Sequence, residues 1–208
     1  MNNKHILIVF SLIYIFIGIS VNYLLCNSMY NNIIEFYKYE ADNLLSEIKV
    51  RFEKLSPDDI ENTEILDEMF DLRDGYGFVY RDNMVIYEMN LDTTKQYMNS
   101  TTRELFNDYS QDSGTNLADD MTNFIFRDEG TEFLIKNNDC GLEMITWKSL
   151  EINNKSYVIG IAFIVKDILE KGDYYFYRNI FNISLVINYI IFMIFGFIVI
   201  KGSKKTAA

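Results

Sequence analysis

The sequence predicts an α+β module carried between two transmembrane helices: a central antiparallel sheet of five strands with a long N-terminal helix across one face. Three observations predict it. Two uncharged apolar runs, Ile6 to Leu25 and Asn179 to Ile200, each reach the roughly 20 residues that an α-helix needs to cross about 30 Å of hydrocarbon. Between them, apolar residues first recur every three or four positions and later every second position. The chain has 208 residues, and its middle, about 150 of them, is one average domain's worth of sequence.

The first run follows a short head, residues 1–5. A cleaved signal peptide would show an apolar core of about 7–15 residues and then a small-x-small site. This run is longer, and the first alanine after it is Ala41. Leu24-Leu25-Cys26 resembles a lipoprotein site except that Leu25 stands where a small residue belongs, so residues 6–25 are read as a retained membrane helix. Charge sets the orientation. Lys4 precedes the first run, and Lys201, Lys204 and Lys205 follow the second, in a tail of residues 201–208. All 30 acidic residues lie between the runs with the other 15 Lys and Arg, so the middle carries a net charge of −15. Lysine and arginine mark cytoplasmic flanks, which puts both termini in the cytoplasm and residues 26–178 outside.

From Cys26 to Leu55 there is neither Gly nor Pro, and Ile33, Tyr37, Ala41, Leu44, Ile48, Phe52 and Leu55 lay one stripe along a helix. Thirty residues would make a rod of about 45 Å. It can pack on a sheet, act as a dimerising signalling helix, or do both. Ser56-Pro57-Asp58-Asp59 ends it and can cap a short helix through Ile65 and Phe70.

The period then changes to two. Residues 75–80 and 84–89 form a hairpin about the polar turn Arg81-Asp82-Asn83. Leu91 to Arg127 is a polar insert with helical stretches at Thr102 to Tyr109 and Leu117 to Phe126. Strand pattern returns at Thr131 to Lys136, Leu142 to Ile152 and Lys155 to Val165, the last two joined by an Asn153-Asn154 turn, since Asn tolerates positive φ. The last strand is apolar on both faces and should be central. Gly160 and Ala162 leave room on one face for a closely packed helix or for a ligand.

With these elements in place, the chain resembles the Cache family, the PAS-like extracytoplasmic sensor domains of bacterial membrane receptors. The residues that carry the likeness are the helix running out of the first span, the hairpin DGYGFVYRDNMVIYEMN (Asp74 to Asn90), and the closing WKSLEINNKSYVIGIAFIVKDIL (Trp147 to Leu169). The resemblance implies a single five-stranded sensor domain over Met29 to Asp173. No His-Pro pair follows the first hairpin, where Met89-Asn90 stands, and the tyrosine–tryptophan–aspartate signature of the amino-acid-binding members is missing, so the resemblance implies no particular ligand. Such receptors usually continue into a signalling domain. Only KGSKKTAA follows the second run here, so the chain is either the sensory part of a longer receptor or a sensor acting through a separate signalling partner.

Catalytic readings fare poorly. The only histidine, His5, lies at the mouth of the first span, which leaves no exported histidine for a triad or a metal cluster. Cys140 has no histidine to activate it, and Cys26 and Cys140 do not make a disulfide framework. No glycine-rich phosphate loop is present. Asp58-Asp59 and Asp119-Asp120 are read as solvated acids rather than a calcium site. No cofactor and no metal are expected. The acidic balance disfavours nucleic acid, and spans without charges offer no ion path. Ser11, Asn22, Asn182 and Asn188 are expected to bond between helices.

Two functions remain: a sensor that binds a small ligand and passes a signal through its membrane helices, with a homodimer as the expected assembly, or an envelope scaffold without a ligand. An adjacent reading frame for a kinase or cyclase lacking its own sensor would favour the first. The expected pocket lies on the sheet face away from the N-terminal helix, under the insert. Tyr80, Tyr87, Arg103, Arg127 and Trp147 are its candidate residues for a small polar or anionic ligand, arginine gripping a carboxylate and the rings forming walls. The competing reading places Tyr80 and Trp147 in the core.

Overall fold

The computed structural model describes residues 3–72, 75–88, 100–106, 109–111, 129–136 and 141–205. The chain divides into two compact units, one of Met1–Ile33 with Leu169–Ala208 and the other of Ile34–Ile168. Helix α1, Asn3–Phe52, is unbroken and contributes its first part to one unit and its second part to the other.

In the second unit, α1 stops just before a capping box. The Ser56 hydroxyl accepts the Asp59 N–H at 3.2 Å, and the Asp59 carboxylate accepts the Ser56 N–H at 3.3 Å. Two short helices follow where the sequence suggests one. These are α2, Pro57–Ile60, and α3, Thr63–Met69, the latter capped by the Asn62 side chain on the Glu64 N–H at 3.0 Å. The hairpin strands are β1, Tyr76–Arg81, and β2, Met84–Glu88. Its turn residues Asp82 and Asn83 have φ of 46° and 67°, and Asn153 and Asn154 repeat the arrangement at 52° and 61°. Positive φ at both central residues matches the right-handed twist of the flanking strands, which is why Asn and Asp occupy these turns.

Helix α4, Thr102–Phe106, occupies the first part of the predicted stretch Thr102 to Tyr109, whose last residue opens a strand instead, and the predicted helix at Leu117 to Phe126 lies outside the described residues. Strands β4 (Gly130–Lys136), β5 (Gly141–Ile152) and β6 (Lys155–Ile164) complete the five predicted strands. A sixth, β3 (Tyr109–Gln111), adds three residues to the edge beside β4. Every pairing is antiparallel, in the order β2-β1-β6-β5-β4-β3, with β6 near the centre.

The second part of α1 takes one face of this sheet. Phe52 meets the Tyr157 ring at 5.6 Å, Tyr37 meets Phe163 at 5.6 Å, and the Lys148 ammonium bonds Asp42 at 2.7 Å and Ser46 at 2.9 Å. The buried stripe is Ile34, Ala41, Leu45, Ile48 and Phe52. It differs from the predicted one in taking Ile34 and Leu45 instead of Ile33 and Leu44, and Tyr37 and Leu55 of the predicted stripe are only half-buried. Both choices satisfy a three-or-four spacing, and the rotation of the helix on the sheet decides between them. Helices α2 and α3 share this face, where Phe70 fills the space left by Gly77 and Arg81 forms an ion pair with Glu61.

The other unit pairs the first part of α1 with α6, Tyr174–Lys205, which follows α5, Val165–Lys171, across a break at Gly172 and Asp173. Asp173 sits at φ 55°, and a Cβ on Gly172 would lie 2.7 Å from the Ile33 side chain. Contacts fall along α6 as they rise along α1. Ser11 touches Met193 at 3.6 Å, Tyr14 stacks on Phe192 at 4.6 Å, Asn22 donates to Asn182 at 2.7 Å, and Tyr30 meets Tyr174 edge-on. The pair is therefore antiparallel. Both helices are long and apolar enough to cross a membrane, and their apolar side chains are largely exposed. Asn188 departs from the expectation of an interhelical bond. Its amide donates to Ser184 of its own helix, one turn back, as short polar side chains in helices commonly do.

Candidate functional site

Alternation along the strands assigns the far face, away from α1. Tyr76, Phe78 and Tyr80 lie opposite Ala162, Gly160 and Val158, which lie opposite Ile145, Trp147 and Ser149. Leu105 from α4 and Leu134 from β4 join this cluster. It is close-packed. Phe78 and Tyr80 stack at 4.8 Å, the Phe78 ring occupies the space left by Gly160, and the Trp147 ring packs beside Gly130 of the neighbouring strand. The room at Gly160 thus admits an aromatic ring from the neighbouring strand, neither a helix nor a ligand.

Within this apolar cluster sit polar groups. The Tyr76 hydroxyl donates to the fully buried Glu143 carboxylate at 2.7 Å. Glu88 faces the same side from β2, opposite Phe78, and is 8% exposed. Thr102 of α4 is buried, and its hydroxyl oxygen has no hydrogen-bond partner among the described residues. Burial, and after it the charges of Glu88 and Glu143, push the Tyr80 hydroxyl far above the usual tyrosine range. Both carboxylates therefore lie within electrostatic reach of one phenol. Carrying charged groups into such surroundings costs several kcal/mol each unless partners compensate, and a strongly perturbed group such as the Tyr80 hydroxyl is a marker of functional sites.

The predicted residues are divided by the structure. Tyr80 and Trp147 share the far face, as buried members of its core, at 3% and 1% exposure. Tyr87 is on the opposite face. It stacks on Phe70 and donates to Asp67 of α3 at 2.8 Å. The cause is a β-bulge: Tyr80 pairs with Val85 and Arg81 with Met84, but Val79 pairs with Tyr87, so Ile86 is the extra residue. The inserted residue reverses the sidedness of the rest of the strand, sending Tyr87 to the helix face and turning Glu88 to the far face. Arg103 is exposed on α4, and Arg127 lies outside the described residues. Sequence reasoning missed Glu88 and Glu143. An acid alternating with apolar residues in LEMITW was a usable signal for Glu143; the bulge gave none for Glu88.

The two buried tyrosines make a titration prediction. Tyr87, like Tyr80, has its pKa raised, by burial first and then by its bond to Asp67. The folded chain therefore keeps both protons where the unfolded chain releases them. That contribution is complete below about pH 10 and is lost as the pH rises beyond it. Stability should fall by about 1.4 kcal/mol per pH unit per tyrosine above that point. Tyr80→Phe should remove one such increment from the slope in denaturant titrations; an unchanged slope contradicts the assignment.

No protein-family model matches the sequence, and no curated protein matches it. The structure is similar to the crystal structure of a methyl-accepting chemotaxis protein from Vibrio parahaemolyticus RIMD 2210633, at 13% identity and a TM-score of 0.44, over 69% of this chain and 98% of that one. A likeness of that degree carries no assignment of function, which rests on the chain's own residues.

Proposed function

We propose that the chain is a two-pass membrane sensor. The sheet unit lies outside the bacterial plasma membrane with both termini in the cytoplasm, binds a small ligand on its far face, and passes the change through its membrane helices to a cytoplasmic output domain or partner. The observation that carries the reading is a buried tyrosine–carboxylate cluster on one sheet face, the other face being taken by a helix that is the same unbroken element as the first apolar span. A ligand shifts a conformational equilibrium only through unequal affinity for its states. The described residues of the far face are close-packed, so a ligand entering there displaces side chains, which supplies that inequality. Lysines flanking the spans support the orientation. A homodimer, in which the spans could slide against a second pair, is part of the proposal, as is binding without turnover.

We infer the ligand class from the charged residues nearest the far face. The sequence offers Arg103 and Arg127 to an anion, whereas the described floor of the site carries Glu88 and Glu143 beside tyrosine hydroxyls and rings. Carboxylates and aromatic walls suit a small polar ligand with a protonated amine. The test is thermal unfolding of the purified full chain against amines, amino acids and simple carboxylates. Amines should stabilise it, by about 2.7 kcal/mol at a hundred times the dissociation constant, and Glu143→Gln should abolish the effect. Stabilisation by carboxylates that survives Glu143→Gln would overturn the ligand class.

A further inference from the structure

The N-terminal end of α6 holds a cation in a setting the ligand site does not use. Arg178 lies with its guanidinium carbon 5.0 Å from the centre of the Tyr175 ring and 5.7 Å from that of Tyr174. No carboxylate among the described residues is within ion-pair distance of it. Tyr174 is itself held by Tyr175 at 5.4 Å and by Tyr30 of α1 at 6.0 Å, so the rings under the guanidinium are braced within the same unit. Helical side chains lean toward the helix N-terminus. Arg178 therefore reaches back one turn, away from the apolar run that begins at Asn179.

Length places this group. Arg178 and Lys201 bracket the run and stand 23 residues apart, about 35 Å along a helix. That exceeds a hydrocarbon core of about 30 Å and falls inside the roughly 40–45 Å that includes the headgroups. Both cations thus land among headgroups, at the depth where phosphates sit and tyrosines form interfacial belts. A guanidinium stacked on rings keeps its edge N–H donors free in a planar fork, the geometry that takes two phosphate oxygens at once.

We propose that Arg178, held over Tyr174 and Tyr175, binds the phosphate of a phospholipid headgroup and fixes the depth of α6 in the bilayer. The proposal goes beyond ligand sensing and rests on the reading of α6 as a membrane span. Phosphate occurs in both leaflets, so it is independent of which way the chain faces.

The experiment is solid-state NMR on the full chain carrying ¹⁵N-labelled arginine, in vesicles of phosphatidylethanolamine and phosphatidylglycerol. It reads dephasing of guanidinium nitrogens by lipid phosphorus. The wild type should show a close nitrogen–phosphorus contact that Arg178→Gln loses and Tyr175→Leu, which keeps the charge but removes a ring, weakens. In vesicles of a phosphate-free glycolipid with inorganic phosphate in the buffer, the contact should vanish. The same signal in wild type and Arg178→Gln overturns the site, and a contact that persists with free phosphate overturns the headgroup as its source. Contact between lipid acyl chains and Phe195, read in the same samples, separates the two premises. If that contact is missing, the membrane reading falls with the proposal; if it is present without the phosphate contact, only the proposal falls.

Discussion

Trp147→Ala should destabilise the sheet unit by about 3–5 kcal/mol, the range for removing a large aromatic from a core that cannot collapse around the gap. Trp147 is 1% exposed and among the largest fully buried side chains in the protein. Its ring packs against Gly130, whose Cβ position would lie 3.4 Å from the ring, and its strand is paired on both sides, by β4 and β6. None of these backbones can move into the space without breaking ladder bonds. Against a total stability of about 5–15 kcal/mol, the loss is a large fraction, and at about 3 °C per kcal/mol for a unit of this size it corresponds to roughly 10–15 °C in Tm. Circular dichroism melting of the full chain in detergent measures it. A shift of only a degree or two would mean that the far face is not a packed core.

Gly160→Val should be nearly as damaging, although strand propensity argues the other way. Valine is favoured over glycine in strands by up to about 1 kcal/mol. At position 160, however, a Cβ would collide with the Phe78 ring, which is itself buried and stacked on Tyr80. Overpacking a close-packed core costs about 1–3 kcal/mol and sometimes more. Here the displaced ring is buried and stacked on Tyr80, so the upper part of that range should apply. The same melting experiment should show Gly160→Val well below wild type. A variant as stable as wild type would show that Phe78 has another place to go.

Much of this architecture was legible in the sequence because local chemistry and tertiary structure agree. Asp82-Asn83 and Asn153-Asn154 can be read as turns because few other residues accept positive φ twice in succession. Ser56 and Asp59 announce a helix start by satisfying each other's N–H groups. Thr101 and Glu104 repeat the device before α4, with bonds of 2.8 Å and 3.2 Å, and the Thr101 N–H holds the Glu104 carboxyl below its usual range. Failures arose where an outcome depends on something non-local. A three-residue edge strand such as β3 carries no period. The choice between Leu44 and Leu45 depends on how α1 rolls on the sheet. The bulge at Ile86 is the costliest case, because one inserted residue exchanged Tyr87 for Glu88 on the far face.

Transmission from the sheet to the membrane is the central claim, and crosslinking between the two spans tests it most directly. Ser11 touches Met193 and Asn22 bonds Asn182 on opposite sides of the Gly18–Leu185 contact, so cysteine pairs at these two levels report sliding between the helices. The full chain, in membranes and with Cys26 and Cys140 replaced by serine, would be oxidised with and without an amine identified by thermal unfolding. Helix shifts of about 1–2 Å are typical of such switches. If the sheet drives the spans, the ligand changes the disulfide formation rates of the two pairs unequally, and Glu143→Gln removes the change. Equal rates with and without a ligand that demonstrably binds would contradict transmission.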